Sequence, residues 1–117
     1  MMMIFDQRTY TCRAGTIKKQ LALYEEHGWG PQTRHLGQPI VYAVTEIGNV
    51  NTYVHIWAYA DVSDRASKRE AMQADPDWQN YLAVSGEAGY LIAQDNRILV
   101  SAPFYSPPGE FQSLNKG

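Results

Sequence analysis

The residues best suited to chemistry lie in one short stretch, positions 51–59. Its alternate positions carry large or hydrogen-bonding side chains: Asn51, Tyr53, His55, Trp57 and Tyr59. An imidazole titrates near neutral pH, so His55 could move a proton or bind a metal. The phenol and indole rings could stack on a flat ligand. Alternation at every second residue is the period of a β-strand, so these five side chains are predicted to share one face.

The other face of this predicted strand is small and branched, with Thr, Val, Ile and Ala at positions 52, 54, 56 and 58. We expect this even-numbered face to meet the helices of the domain. An ordinary core would not need the asparagine and histidine of the odd-numbered face, because buried polar groups are costly without partners. The odd-numbered face is therefore predicted to look into a semi-polar enclosed space, either a ligand cavity, a subunit interface or both.

Arg8 and Tyr10 share one face of the first predicted strand, residues 3–12. If that strand lies beside the 51–59 strand, both side chains stand next to His55. Arg8 could then hold a carboxylate or phenolate through two hydrogen bonds. The alternative for Arg8 is an ion pair with Asp6 or Glu46.

Seven residues form the predicted site. The catalytic candidates are His55, Arg8 and Tyr10, and the substrate-binding candidates are Tyr42, Asn51, Tyr53 and Trp57. Each also has a purely structural interpretation. His55 could be a buried histidine held by hydrogen bonds, the aromatic row could be core or interface, and Asn51 could shape a hairpin end.

Composition limits the classes of partner. The net charge is -2 and no basic run occurs, which argues against nucleic acid. No apolar run approaches the roughly 20 residues of a membrane helix. Cys12 is the single cysteine, which fits a reducing cytoplasm and leaves a structural zinc site without a second thiol. No glycine-rich phosphate loop or nucleophile triad is visible, and we predict neither a metal nor a cofactor.

The hydrophobic periodicity predicts the element order β-α-β-β-α-β. The predicted strands are 3–12, 40–47, 51–59 and a last one within 90–100 that is broken around Asp95. The predicted helices are 16–27, 64–74 and a short one from Pro76, and a loop is predicted at 32–39. Asp61 or Ser63 is expected to cap the helix at 64–74, and Trp78, Tyr81 and Leu82 are expected to be buried on the short helix. A hairpin loop of two or four residues would place Tyr42, Val44 and Glu46 on the face of His55.

This order is the α+β ferredoxin-like plan, an antiparallel sheet with its helices on one face. The other face is left uncovered, and the aromatic row is predicted to lie there. Two such sheets, packed face to face about a two-fold axis, would cover the exposed patches and enclose a cavity between subunits.

The sequence resembles the NIPSNAP family of the dimeric α/β-barrel superfamily over roughly residues 3–105. The resemblance rests on Arg8-Thr-Tyr-Thr11, Thr45-Glu-Ile-Gly48, Asn51 with His55-Ile-Trp-Ala-Tyr59, Asp64-Arg65, Asp75-Pro-Asp-Trp78, Arg97-Ile-Leu99 and Ala102-Pro-Phe104. It implies a dimeric barrel with a central cavity, in a superfamily that includes small monooxygenases, isomerases and haem-handling enzymes. We expect one domain at 1–106 and a flexible tail at 107–117.

Two functional hypotheses follow. In the first, a homodimer binds a small aromatic or polyketide-like molecule, and His55 acts as acid or base in a monooxygenase- or isomerase-like proton transfer. In the second, the chain is a non-catalytic dimerising or protein-interaction module. A ligand site should contain an empty volume of a few hundred Å³, whereas an interface row should be packed solid.

Overall fold

A four-stranded antiparallel sheet carries four helices in the computed structural model, which describes residues 3–109. The elements are β1 (Ile4–Cys12), α1 (Ile17–His27), α2 (Trp29–Leu36), β2 (Val41–Val44), β3 (Thr52–Tyr59), α3 (Val62–Ala74), α4 (Pro76–Ala88) and β4 (Leu91–Val100). The strand order β2-β3-β1-β4 places the first and third strands side by side at the centre. The predicted α+β ferredoxin-like class with an antiparallel sheet is confirmed.

The last two helices carry the caps that the sequence predicts, although α3 begins at Val62 rather than at Asp64. The Asp61 side chain accepts the backbone N–H of Asp64 at 2.7 Å, so Asp61 rather than Ser63 is the cap of α3. The Asp75 side chain accepts the N–H of Asp77 at 2.8 Å, with Pro76 in the first turn of α4. On α4, Trp78 and Tyr81 are buried as predicted, but Leu82 is 45% exposed and Ser85 takes its place inside.

The predicted loop at 32–39 is wrong over most of its length, because α2 occupies Trp29–Leu36. Gly28 joins α1 to α2 in a right-handed helical conformation, with φ −107° and ψ −33°. A Cβ at this position would lie 2.7 Å from the Tyr24 ring and 3.0 Å from the Tyr81 ring, so glycine permits a close approach of the helices. Pro31 falls in the first turn of α2, where no backbone donor is needed.

Cross-strand register confirms the predicted hairpin parity. Tyr42 of β2 lies opposite His55, and Val44 lies opposite Tyr53. Glu46 lies beyond the end of β2, so that part of the pairing is absent. β4 is one continuous strand rather than two runs, because β1 offers it uninterrupted pairing from Ile4 to Thr11.

The face predicted for the aromatic row is wrong. Trp57 and Tyr59 are 0% exposed and pack with Met72, Trp78 and Tyr81, so the odd-numbered face of β3 lies beneath the helices. The physical reason is that aromatic rings bury more surface than small branched side chains, and the helices supply aromatic partners for them. Alternation alone does not say which face is covered.

The opposite face of the sheet is largely uncovered, and it carries apolar rows beside polar residues such as Gln7 and Arg97. Register places Phe5, Ala58 and Leu99 in one row across it, and Ile56 lies between Gln7 and Val41. Tyr105, Pro107 and Pro108 reach this face, where they line a small pocket with Phe5 and Ile56. Of the predicted flexible tail at 107–117, positions 110–117 lie outside the described residues. No helix within the described range 3–109 is both long and apolar enough to cross a bilayer.

Candidate functional site

A cavity of about 420 Å³ lies between the sheet and the helices. Five of the seven predicted site residues line it: Arg8, Tyr10, Tyr42, Tyr53 and His55. The remaining polar and aromatic lining comes from the helices and β4: Tyr24, Gln32, Arg69, Gln73, Trp78, Tyr81, Ser85 and Gln94. The predicted residues therefore do converge, but within one subunit and under its helices.

Strand register explains this convergence. Arg8 of β1 and Tyr42 of β2 are both direct partners of His55 on β3, one from each side. Tyr10 is the direct partner of Tyr53. Residues directly opposite in antiparallel strands point to the same face, so three strands deliver all five side chains to one patch.

His55 is held on both ring faces. Its centroid lies 4.6 Å from that of Tyr42 and 5.1 Å from that of Tyr10, and the planes are within 7° and 4° of parallel. The indole Nε1 of Trp57 donates a hydrogen bond to Nδ1 of His55 at 2.5 Å. Trp57 is not among the cavity-lining residues, so its contact with the site passes through His55. A neutral imidazole that accepts at Nδ1 carries its proton on Nε2.

The site favours the neutral form of His55. Burial lowers its pKa to about 3, and the positive charges of Arg8 and Arg69 act in the same direction. The side chain is 3% exposed, so water contributes little to stabilising an imidazolium. His55 is therefore uncharged at physiological pH, and its Nε2–H is a hydrogen-bond donor.

The cationic side of the site is built around Asp6. The Oδ2 atom of this fully buried carboxylate accepts from Nη1 of Arg8 at 3.2 Å and from Nε of Arg65 at 3.0 Å. Nε of Arg8 also donates to the hydroxyl of Tyr10 at 3.2 Å. Burial opposes the charge of Arg8, yet Tyr10 and Asp6 together hold its pKa above the ordinary value. The predicted Arg8–Asp6 pair is present, and Arg8 still lines the cavity.

Positive charge is in excess here. Arg69 adds a third guanidinium near Arg8 and Arg65, against the single carboxylate of Asp6, and among residues 3–109 no aspartate or glutamate lines the cavity. Low dielectric strengthens such charges, so the cavity favours an anionic or oxygen-rich ligand.

Sequence analysis missed the polar residues that the helices contribute. Gln20 is 0% exposed, and the Tyr24 hydroxyl donates to Oε1 of buried Gln32 at 2.5 Å. A signal was available for Gln20, because it precedes Tyr24 by four residues on the stripe that also carries Ile17 and Leu21. Arg69 likewise stands three residues before the buried Met72 on α3.

Asn51 is apart from the cavity. Its backbone N–H is bound by Oδ1 of Asn49 at 3.0 Å, and its carbonyl accepts the N–H of Cys12 at 2.8 Å. These bonds match the interpretation that it shapes the hairpin end. Over residues 3–109, no cluster of three or more histidine, cysteine or acidic side chains is arranged to hold a metal ion.

A family model for NIPSNAP matches residues 5–107, nearly the whole described chain. The chain belongs to the NIPSNAP family. A NIPSNAP family protein of unknown function from Agrobacterium tumefaciens str. C58 is 36% identical, with a TM-score of 0.80, over 90% of this chain and 92% of that chain. An uncharacterised NIPSNAP-like domain protein from Burkholderia xenovorans is 34% identical, with a TM-score of 0.80, over 90% of each chain.

Two more distant similarities concern a longer NipSnap homologue and a solved structure of low sequence identity. The NipSnap homologue of Dictyostelium discoideum is 28% identical over 80 residues, and the match spans 68% of this chain but only 35% of that protein. A putative antibiotic biosynthesis monooxygenase from Nitrosomonas europaea is 8% identical, with a TM-score of 0.62 over 89% of this chain and 94% of that chain. At that identity the likeness concerns the fold alone.

Proposed function

We propose that this NIPSNAP protein binds a small aromatic or polyketide-like organic anion in the cavity between its sheet and helices. The observation that carries the proposal is that Arg8 and Arg69 line one cavity together with the neutral donor His55. Tyrosine rings form much of the remaining wall. A few convergent polar groups on an aromatic wall are typical of a small-molecule pocket.

The hydrogen-bond pattern of His55 favours a particular chemical role. Its Nδ1 accepts from Trp57, so the nitrogen left for a ligand is the protonated Nε2. A neutral imidazole in this form polarises a carbonyl oxygen or stabilises an enolate by donating a hydrogen bond. The acid or base role of His55 and the polarising role of Tyr10 stay predictions, and in this proposal Arg8 and Arg69 balance the negative charge that develops on the ligand.

We further propose that two copies pair through the uncovered sheet face. Phe5, Ile56 and Leu99 lie on this face, away from the helices. An uncovered sheet face with exposed apolar side chains is a common basis for a two-fold interface. The cavity proposed for the ligand is then one per subunit and separate from the space between the sheets.

The alternative is a non-catalytic interaction module, and the cavity weighs against it. The two interpretations differ in whether the aromatic row is packed solid. Tyr42, Tyr53 and His55 border about 420 Å³ of space, within the range that small-molecule sites occupy. Trp57 and Tyr59, by contrast, lie in the solid core.

Calorimetric titration with benzoate and with benzamide tests the proposal, since the pair differs mainly in charge. We expect wild-type protein to bind the acid at least about tenfold more tightly, because the arginines favour a carboxylate. Arg69→Gln should remove most of that preference, whereas Lys19→Gln, on the exposed side of α1 and outside the cavity lining, should retain it. Equal affinity of wild type for the two compounds would contradict anion binding.

Catalysis needs its own experiment. Turnover of a panel of phenolic and keto-acid compounds by wild type and by His55→Phe would test whether the bound molecule is changed chemically. A reaction that is lost in the variant while binding persists would support an enzyme. Native mass spectrometry of freshly purified protein would identify any compound already held.

A further inference from the structure

Gln20 is a buried amide that anion binding leaves unused. It lies on α1 at 0% exposure, and its Nε2 atom donates to the hydroxyl oxygens of Tyr81 at 3.0 Å and Tyr53 at 3.4 Å. Both tyrosines line the cavity, whereas Gln20 is not among the lining residues. One amide nitrogen therefore connects two phenol groups of the cavity wall.

The orientation of this amide decides which way the phenol hydrogens point. With Nε2 toward the tyrosines, both amide hydrogens find acceptors, and Oε1 is left without a partner among residues 3–109. The reverse orientation would strand two N–H donors in place of one oxygen, which costs more. The Tyr53 and Tyr81 oxygens thus act as acceptors toward Gln20, and their own hydrogens are directed to another acceptor.

Both hydroxyls stay protonated. Burial raises the pKa of Tyr81, and hydrogen bonds from Ser85 and Gln20 only partly oppose this effect. Burial also raises the pKa of Tyr53. The Tyr81 oxygen accepts a hydrogen bond from Gln20, so its own hydrogen remains as a donor toward another acceptor.

We propose that the hydroxyls of Tyr53 and Tyr81 form a second oxygen subsite, which binds a neutral carbonyl of the ligand, and that Gln20 is the positioning residue that aims them. This inference rests on the proposed function and names the ligand class. The ring centroids of Tyr53 and His55 are 6.0 Å apart, and both rings line the cavity that Arg8 and Arg69 also line, so the proposed subsite and the cationic side border one space. The fitting ligand is a planar aromatic keto acid, with a carboxylate or enolate at one end and a ketone across the ring.

Such a subsite should reject ligands that lack the second oxygen. A pocket built to hydrogen-bond an oxygen discriminates strongly against the apolar isostere, because its buried donors are then unpaired. The matched pair of probes is 4-acetylbenzoate and 4-isopropylbenzoate, which share the carboxylate and differ in the ketone oxygen.

Calorimetric titration of the full chain with both acids tests the subsite. Wild type should bind the acetyl compound at least about tenfold more tightly. In Tyr53→Phe, Tyr81→Phe and Gln20→Met the ratio should fall to below about threefold, with little change in the affinity for the isopropyl acid. Tyr90→Phe, whose ring contacts Arg13 outside the cavity, should keep the wild-type ratio.

Four results would overturn the inference. Equal binding of the two acids by wild type would remove the subsite and leave anion binding intact. A Gln20→Met protein that loses both affinities in parallel would give Gln20 a merely structural role, and the same ratio in all three variants would exclude the donors. Absence of binding by either acid would sink the proposed function together with the subsite.

Discussion

The indole of Trp57 donates its N–H to Nδ1 of His55 over 2.5 Å, between two buried side chains on the same face of β3. Residues two apart on a strand share a face, which permits this contact. The bond fixes both the tilt of the imidazole and the nitrogen that carries its proton. Trp57 thus sets the chemistry of His55 from outside the cavity.

Trp57→Phe should release His55 from its single tautomer. In wild type at pH 7, nitrogen NMR of the imidazole should give the pattern of an Nε2–H ring, whereas the variant should give a mixture. Leaving the buried Nδ1 without a donor should also lower the free energy of unfolding by about 1–3 kcal/mol. Trp29→Phe, which keeps the donor to His55, should retain the wild-type pattern; an Nε2–H ring in the Trp57 variant would contradict the assignment.

His55 should make stability depend on pH over a defined window. Its pKa is about 3 in the folded protein, and an unfolded histidine titrates near 6.5. The unfolded state therefore binds the proton first, so stability is full above pH 6.5 and falls as the pH drops toward 3. Between pH 6.5 and 4.5 the free energy of unfolding should decline by roughly 2–3 kcal/mol.

Chemical denaturation at several pH values measures this slope. In His55→Phe, which keeps a ring between Tyr10 and Tyr42, the decline above pH 4.5 should disappear. His27→Gln, at the exposed end of α1, should leave it unchanged. Identical slopes in wild type and His55→Phe would assign the pH dependence to another group.

Gly28 and Gly30 should respond oppositely to alanine. At Gly28 the new methyl would meet the Tyr24 ring at 2.7 Å, and overpacking of this kind costs about 1–3 kcal/mol. At Gly30 nothing lies within 4 Å, so Gly30→Ala within α2 should stabilise by about 0.4–1 kcal/mol. Thermal unfolding of the two variants checks the pair, and a stabilised Gly28→Ala would disprove the close helix contact.

A charge on the uncovered sheet face should separate the proposed dimer. Ile56→Glu should shift the mass measured by light scattering from two chains to one, because a carboxylate would be buried between the sheets. Ile47→Glu, at a hairpin position that is 93% exposed, should leave the mass unchanged. A wild-type protein that stays monomeric at high concentration would refute the interface.

Much of this fold could be read from local patterns. The caps at Asp61 and Asp75 and the hairpin parity of Tyr42 with His55 follow from short-range chemistry that acts the same way in any context. Gly28 and Gly30 next to Pro31 resemble a loop, yet a second helix forms there because Gly28 permits close contact between helices and the proline occupies a first turn. That outcome depends on the tertiary neighbour Tyr81, which no local pattern contains.

Sequence analysis named five of the residues that line the cavity but assigned them to the wrong face of the sheet. The parity of β3 correctly placed His55 and Tyr53 on the same face as Tyr42, since register is a property of the strands. Which face the helices cover depends on the aromatic side chains that α1 and α4 bring, and on Gln20 and Arg8 to satisfy the polar groups beneath them. In the sequence of a single strand, the residues of an aromatic core with internal hydrogen bonds look the same as those that line a ligand cavity.

The imidazole of His55 is confined between a ring from β1 and a ring from β2, with an indole at its edge. Swivelling it would require three strands to part, so this group cannot reorient to suit an incoming molecule. The wall of the cavity around His55 is therefore rigid, and any change of shape that accommodates a ligand must come from the side chains of the helices. The sheet side of the cavity then selects ligands by steric exclusion. A ligand whose shape does not match this wall gains no affinity, because the sheet does not rearrange around it.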